Sequence, residues 1–294
     1  MDPHQPRALR TPVAPIVPIA RVLWLSPSTP GERSTELVAR TLQGRAEIVP
    51  KELEVWADTP PVSYSLEDEL EGVRRVAKDR GWPRFHIVGF SAGASVALIC
   101  ACEMPSSVAT VAVIEPATIG DDDWSATEAA WRARMKAIFE LDPVPRRIAF
   151  RQAMMHPDEP PPKRPAPSSE SSEQGLLLEH ALANTGYVSS DWATLTQPLL
   201  VVTCGRSHPR FAEVSVRLCE VAANASAAAF PSLSHLESPQ RHDPERLSAL
   251  LVKLWSSARE SDAATAPLGG GRLAQCTASA RRGSFQPGRT KWQV

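Results

Sequence analysis

Short runs of apolar residues alternate with longer amphipathic segments along most of the chain. The short runs are rich in β-branched residues, as buried strands are, and the longer segments repeat apolar side chains at the spacing of one helix face. Strands that alternate with helices predict an α/β fold, in which a mostly parallel sheet of about six strands carries helices on both faces. The predicted strands are 21–25, 46–49, 85–88, 108–114, 198–203 and 225–230.

The segment between the fourth and fifth predicted strands departs from this alternation. Residues 119–187 contain three helical patterns, which we interpret as a helical lid inserted into the core. Within them, the Pro- and Ser-rich stretch 157–175 predicts a flexible loop. The chain ends show no periodicity, which is typical of irregular segments. The predicted divisions are an irregular arm at 1–19, a core at 20–118 and 188–257, the insertion at 119–187 and a disordered tail at 260–294.

Composition narrows the class of protein. The 294 residues are 43% hydrophobic and carry a formal net charge of −1, whereas a surface for nucleic acid or anionic membrane would be basic. No apolar run reaches the roughly 18 residues of a membrane span, and prolines interrupt the stretch 11–18, so no signal peptide is predicted. The five cysteines lack metal-ligand spacing and are expected to be free thiols. We therefore expect a cytoplasmic protein, and the Arg-, Ala- and Pro-rich composition is typical of a GC-rich bacterial genome.

The most specific motif is Gly89-Phe90-Ser91-Ala92-Gly93, which follows an apolar run and precedes a helix of small residues. A strand, then Gly-x-Ser-x-Gly, then a helix is the arrangement of a nucleophile elbow. The turn holds the serine in a strained conformation, the glycines let strand and helix approach, and the Ala92 N–H at the helix start can hold an oxyanion. Five such common residues also occur together by chance, in which case Ser91 is a loop serine at a strand end.

Three further features follow the elbow along the chain. With the helical insertion, the strand 198–203 and the pair Ser234-His235 before the last helix, the elbow resembles the α/β-hydrolase fold over about residues 20–257. The resemblance implies a hydrolase that acts on an ester, thioester or similar acyl bond. It also implies the order nucleophile, acid, histidine, with Ser91 as the nucleophile and His235 as the base. The alternative is that His235 is a structural histidine.

The acid departs from the pattern of the family. The family usually carries an Asp shortly after the strand 198–203, but residues 205–210 contain no carboxylate. The resemblance offers a second position at the end of the preceding strand, and Glu115 stands there. A strand-end carboxylate can instead bind nearby backbone, and Asp191 is a further candidate that is more typical of a cap. The acid therefore remains open between Glu115, Asp191 and none.

The second oxyanion donor also departs from the family pattern. The resemblance implies a backbone N–H from the turn after the first strand, and this turn reads Ser26-Pro27-Ser28. Because Pro27 has no N–H, the second donor beside Ala92 is predicted to be Ser28 or Ser26.

These residues predict serine-dependent hydrolysis of a small, hydrophobic acyl substrate. Phe90 beside the nucleophile and Trp131 and Met135 in the lid are expected to contact the substrate, although the same side chains can simply pack the lid onto the sheet. There is no Gly-rich phosphate loop, dinucleotide fingerprint or paired Cys/His motif, so no cofactor or metal is implied. Two alternatives remain open: an acyltransferase, and a non-catalytic ligand-binding protein on a degenerate hydrolase fold.

Overall fold

Six parallel strands form one sheet in the order β2-β1-β3-β4-β5-β6. The computed structural model describes residues 19–28, 35–57, 63–120, 125–160, 172–183 and 185–265. The strands are β1 Ala20–Leu25, β2 Ala46–Lys51, β3 Phe85–Phe90, β4 Val108–Ile114, β5 Leu199–Cys204 and β6 Ala225–Phe230. The predicted parallel α/β fold is confirmed.

Helices connect the strands and cover both faces of the sheet. They are α1 Thr35–Thr41, α2 Leu66–Asp79, α3 Ala92–Glu103, α4 Ala126–Phe139, α5 Pro143–Ala153, α6 Ser172–Ala183, α7 Arg210–Val221, α8 Pro239–His242 and α9 Pro244–Thr265, with short 3₁₀ helices at Glu54–Trp56 and Ser189–Thr194.

Alternation along each strand divides the core into two layers. In β3, Phe85 and Ile87 face the layer that contains α2, α3 and α7, whereas Val88 and Phe90 face the layer that contains α1 and α9. A strand buried on both sides favours apolar residues, and all six residues of β3 are buried, including His86, whose Nδ1 lies 2.9 Å from Thr110 Oγ1 on β4. This explains why the inner strands read as nearly continuous apolar runs.

The sequence order of the strands locates the functional edge of the sheet. The chain passes from β1 to β2, at the edge of the sheet, and then returns to β3, which pairs with β1 on its other side. Open α/β sheets bind their ligands at such a reversal, at the carboxyl ends of the strands. The Ser26 turn after β1 and the Ser91 elbow after β3 meet at this point.

Several element boundaries differ from the prediction: β1, β2, β3 and β5 shift at their ends by one or two residues, and two helices differ by more. Helix α6 begins at Ser172, inside the loop predicted at 157–175, and lies beside Trp56: a Cβ on Gly175 would be 3.5 Å from that ring. Helix α9 runs to Thr265, past the start of the tail predicted at 260, because nothing in 258–265 breaks a helix. The rest of that loop, 161–171, the arm 1–18 and the tail 266–294 lie outside the described residues.

Candidate active site

Ser91 lies in a strained turn between β3 and α3. Its backbone angles are φ 54° and ψ −119°, outside the regions that a serine ordinarily adopts. A Cβ on Gly89 would lie 2.2 Å from the Gly93 carbonyl oxygen, and one on Gly93 would lie 2.4 Å from the Ser26 carbonyl oxygen. Both positions therefore require glycine. The Ser91 N–H donates to the Ile114 carbonyl at 2.9 Å, which fixes the turn at the end of β4 as well.

His235 connects Ser91 to a carboxylate. Its Nε2 lies 3.1 Å from Ser91 Oγ, and its Nδ1 lies 2.8 Å from Glu115 Oε2. Because a carboxylate only accepts hydrogen bonds, Nδ1 carries the proton, and Nε2 is left to accept from the serine hydroxyl. Aromatic rings hold the imidazole on two sides: Phe211 stacks on it with centroids 4.8 Å apart and planes 13° apart, and Phe90 lies 4.9 Å away.

Glu115 is fully buried at the carboxyl end of β4. Besides the His235 contact, Oε1 accepts from the Cys204 N–H at 2.8 Å, and Oε2 accepts from Ser207 Oγ at 3.0 Å. Its backbone has φ 46°, so Ser91 and Glu115 are the two non-glycine residues with positive φ among the described residues. Backbone strain of this kind costs about 1–3 kcal/mol and persists where the surroundings dictate it.

The structure separates the carboxylates that the sequence left open. Glu115 contacts His235, whereas Asp191 closes the turn at the start of a 3₁₀ helix, where its Oδ2 accepts from the Val188 N–H at 2.8 Å. Asp191 is therefore a cap residue. Ser207 was missed by the sequence analysis: it lies in the segment after β5, where the family usually carries its acid, and it donates to Glu115 instead. Its pairing depends on the alignment of two strand ends, for which the local sequence holds no signal.

The turn after β1 narrows the choice of the second oxyanion donor. The Ser26 N–H donates to the Lys51 carbonyl at 3.1 Å, so it is already used within the sheet edge. Because the Ser26 N–H is engaged in this way, Ser28 is the remaining one of the two predicted oxyanion donors. Ala92 is the first residue of α3, and the first N–H groups of a helix have no intrahelical acceptor. The positive end of the helix dipole thus points to the space beside Ser91.

The three side chains predicted to contact substrate all make packing contacts. Phe90 belongs to the core layer that contains α1 and α9, and its ring contacts the His235 imidazole. Trp131 and Met135 lie in a third apolar cluster, between α4, α5 and Phe211, and the Trp131 indole N–H donates to the Ala153 carbonyl at 3.2 Å. Contact with substrate remains a prediction for all three.

A buried ion cluster lies next to the site. Arg210 has no exposed surface, and its guanidinium donates to both carboxylate oxygens of Glu128 on α4, at 2.5 and 2.9 Å. Glu128 also accepts from Arg132 Nε at 3.0 Å, while Arg132 Nη2 donates to Thr118 Oγ1 and to the Gly120 carbonyl, each at 2.7 Å. The cluster joins α4 and α7 to the segment that follows Glu115.

The cluster makes stability depend on pH. Burial on its own would raise the pKa of Glu128, but the hydrogen bonds and charges of Arg210 and Arg132 outweigh it and hold the pKa below its ordinary 4.5. A carboxyl group whose pKa is lower in the folded state stabilises the fold above pH 4.5, and this stabilisation is lost as the pH falls. We expect Glu128→Gln to lower the free energy of unfolding by about 3 kcal/mol at pH 7, because it leaves a buried guanidinium without its anion. The loss should shrink in urea titrations below pH 4.

The matched control is Glu67→Gln. Glu67 pairs with Arg74 at 2.6 Å on the exposed face of α2, where an ion pair contributes about 0–1 kcal/mol. This variant should unfold at nearly the wild-type urea concentration both at pH 7 and below pH 4. A loss in Glu128→Gln that is small at pH 7, or that does not shrink below pH 4, would contradict the assignment.

Metal and membrane features are absent from the described part of the chain. None of its clusters of His, Cys, Asp and Glu has the three members that a metal site needs. None of the helices within the described ranges is both long and apolar enough to cross a membrane.

A strained serine, an imidazole and a buried carboxylate at the carboxyl edge of a parallel sheet define the hydrolase class of α/β proteins. A family comparison agrees: a model of the alpha/beta hydrolase family matches residues 6–250. The chain belongs to the alpha/beta hydrolase family, and this membership supports hydrolysis as its general activity.

Solved structures share the fold at low sequence identity. An alpha/beta hydrolase from a Medee basin deep-sea metagenome library has a TM-score of 0.62 and 14% identity, over 81% of this chain and 90% of that one. A 2-hydroxy-6-oxo-6-phenylhexa-2,4-dienoate hydrolase from Rhodococcus sp. strain RHA1 gives 0.56 and 17%, over 81% and 91%. A haloalkane dehalogenase variant from Bradyrhizobium elkanii gives 0.59 and 14%, over 84% and 92%. No curated protein sequence matches the chain. Because these enzymes differ in reaction, the likeness establishes the fold and leaves the substrate open.

Proposed function

We propose that the protein is a serine hydrolase that cleaves an ester, thioester or related acyl bond in a small hydrophobic substrate. The observation that carries the proposal is the position of His235, which lies within hydrogen-bond distance of both Ser91 Oγ and Glu115 Oε2. The Ser–His–carboxylate arrangement serves nucleophilic acyl transfer on several unrelated folds.

Each residue then has one task. Ser91 Oγ attacks the acyl carbon while His235 Nε2 takes its proton, and the resulting oxyanion is held by the N–H groups of Ala92 and Ser28. The imidazolium returns the proton to the leaving group, which departs and leaves an acyl-enzyme on Ser91. Water, activated by the same imidazole, hydrolyses the acyl-enzyme. Glu115 stabilises the imidazolium throughout and keeps its Nδ1 protonated.

We further propose that α4, α5 and α6 form a lid over this site. On one side, α6 brings Gly175 close to the Ser28 carbonyl and to the Trp56 ring, so this helix lies above the proposed oxyanion turn. On the other side, α4 packs Trp131 in one apolar cluster with Phe211, which stacks on the imidazole. The apolar side chains that α4 and α5 contribute to this cluster favour a hydrophobic acyl group.

The proposal predicts labelling by a fluorophosphonate probe, which reacts with activated serines. The wild-type protein should be labelled, and Ser91→Ala should not. Ser248→Ala is the matched control, because Ser248 is a buried serine on α9 whose hydroxyl has no hydrogen-bond partner among the described residues. It should be labelled at the wild-type rate. A folded wild-type protein that resists the probe, or equal labelling of Ser91→Ala, would refute the proposal and favour a ligand-binding protein.

A further inference from the structure

Arg210 is a buried cation that belongs to none of the proposed catalytic steps. It is the first residue of α7 and is fully buried. Its guanidinium carbon lies over two rings, 4.0 Å from the centroid of Trp131 and 4.9 Å from that of Phe211. Nε and Nη2 hold the carboxylate of Glu128, and Nη2 also donates to the Ala117 carbonyl at 2.9 Å. Burying a charge is costly unless other contacts compensate for it, so these contacts specify one position for the group.

The first consequence concerns the imidazole. Phe211 has the guanidinium against its ring and the His235 imidazole stacked nearly parallel to it at 4.8 Å. Trp131, Arg210, Phe211 and His235 therefore form a continuous stack from α4 to the base. The orientation of the imidazole plane decides whether Nε2 points at Ser91 Oγ.

The second consequence concerns the carboxylate. Ala117 lies two residues after Glu115, and its N–H donates to the Ser91 carbonyl at 3.1 Å while its own carbonyl accepts from Arg210. The strained backbone of Glu115, with φ 46°, thus has a fixed neighbour on its carboxyl side. A strained residue keeps its conformation only where such contacts hold it.

We propose that Arg210 is the positioning residue of this site. Through Phe211 it fixes the plane of the His235 imidazole, and through Ala117 it fixes the backbone that presents Glu115. A single side chain thereby sets the geometry of both partners of the histidine–carboxylate pair. The inference rests on the proposed hydrolase function, since it concerns the efficiency of the same nucleophile.

The test compares Arg210→Met with Arg210→Lys. Methionine fills similar space without charge, and lysine keeps the charge but has neither the two-pronged contact to Glu128 nor a planar group for stacking. We expect the kcat for p-nitrophenyl butyrate, per site titrated with fluorophosphonate, to fall about 10- to 100-fold in Arg210→Met, with KM changed less than about threefold. Arg210→Lys should recover little of this loss. Normalisation to titrated sites removes any fraction of the protein that does not fold.

The control is Arg217→Met, on the same helix. Arg217 Nη1 lies 3.6 Å from Glu220 in a partly exposed ion pair, and its loss should leave kcat within about twofold of wild type. Full activity in Arg210→Met, or in Arg210→Lys, would overturn the inference while wild-type activity upheld the proposed function. A wild-type protein that is never labelled would instead remove the proposed function itself.

A double-mutant cycle separates positioning from a general structural effect. If Arg210 acts through the histidine–carboxylate pair, Arg210→Met should slow fluorophosphonate labelling much less in a Glu115→Gln background than in the wild type. The rate constant of labelling is the readout, since it stays measurable when turnover is slow. Losses that multiply in the double variant would show that Arg210 does not act through the histidine–carboxylate pair and would overturn the inference.

Discussion

His235→Ala is expected to lower kcat by about 10⁵- to 10⁶-fold while the protein stays folded. In the wild type, Nε2 lies 3.1 Å from Ser91 Oγ, where it removes the proton during attack and returns it to the leaving group. Without the imidazole, the serine is a neutral alcohol, and only the oxyanion donors and substrate binding contribute to catalysis. The loss is measured as hydrolysis of p-nitrophenyl butyrate and as the rate of fluorophosphonate labelling.

The variant also allows a positive control. Removal of the imidazole leaves a flat space between the rings of Phe90 and Phe211, which flank it at 4.9 and 4.8 Å. Added imidazole should enter this space and recover part of the activity. His242→Ala, at the exposed end of α8, should behave as wild type. A loss smaller than about 100-fold in His235→Ala would show that another group serves as the base.

The fold and the tight turn around Ser91 could be predicted because their signals are local. Buried strands appear as short β-branched runs, and the elbow needs a strand, two glycines and a helix within a single segment. The strand Ala225–Phe230 was predicted to the residue. The start of α6 depends on packing instead: the helix begins early at Ser172, where it lies beside Trp56, a residue distant in sequence.

The partner of His235 could not be chosen from the sequence for the same reason. Glu115 contacts a histidine 120 positions away, and whether it does so depends on the alignment of β4 with β5 and on the loop after β6. The burial of Arg210 was harder still to predict, because a cation at the start of a helix is expected to be exposed to solvent. Its burial follows from Glu128, 82 positions earlier, which supplies the compensating charge. Long-range pairs of this kind leave no periodic pattern in the chain.

Glu115→Gln is expected to lower kcat by roughly 10³- to 10⁴-fold with little change in KM. The carboxylate accepts from three donors: the Cys204 N–H, the Ser207 hydroxyl and His235 Nδ1. A carboxamide has one accepting oxygen, so its NH₂ group must face at least one of these donors. The imidazole can relieve the conflict by moving its proton to Nε2, but that tautomer cannot take the proton of Ser91. The variant should therefore fold while its base is held in the wrong form.

Asp191→Asn is the matched control, because it alters the other acidic candidate of the sequence, which caps a 3₁₀ helix and does not contact His235. It should keep kcat within about threefold of wild type, and a Glu115→Gln variant that does the same would exclude Glu115 as the acid.

Ser207 offers a second, independent test, since its Oγ lies 3.0 Å from Glu115 Oε2 in the segment where the family usually carries the acid. In a Glu115→Ala background, Ser207→Asp should place a carboxylate within reach of Nδ1 and recover about tenfold of the lost kcat. Such a recovery requires that the loss in Glu115→Ala came from the missing charge beside His235, because a collapsed site would gain nothing from a replacement carboxylate.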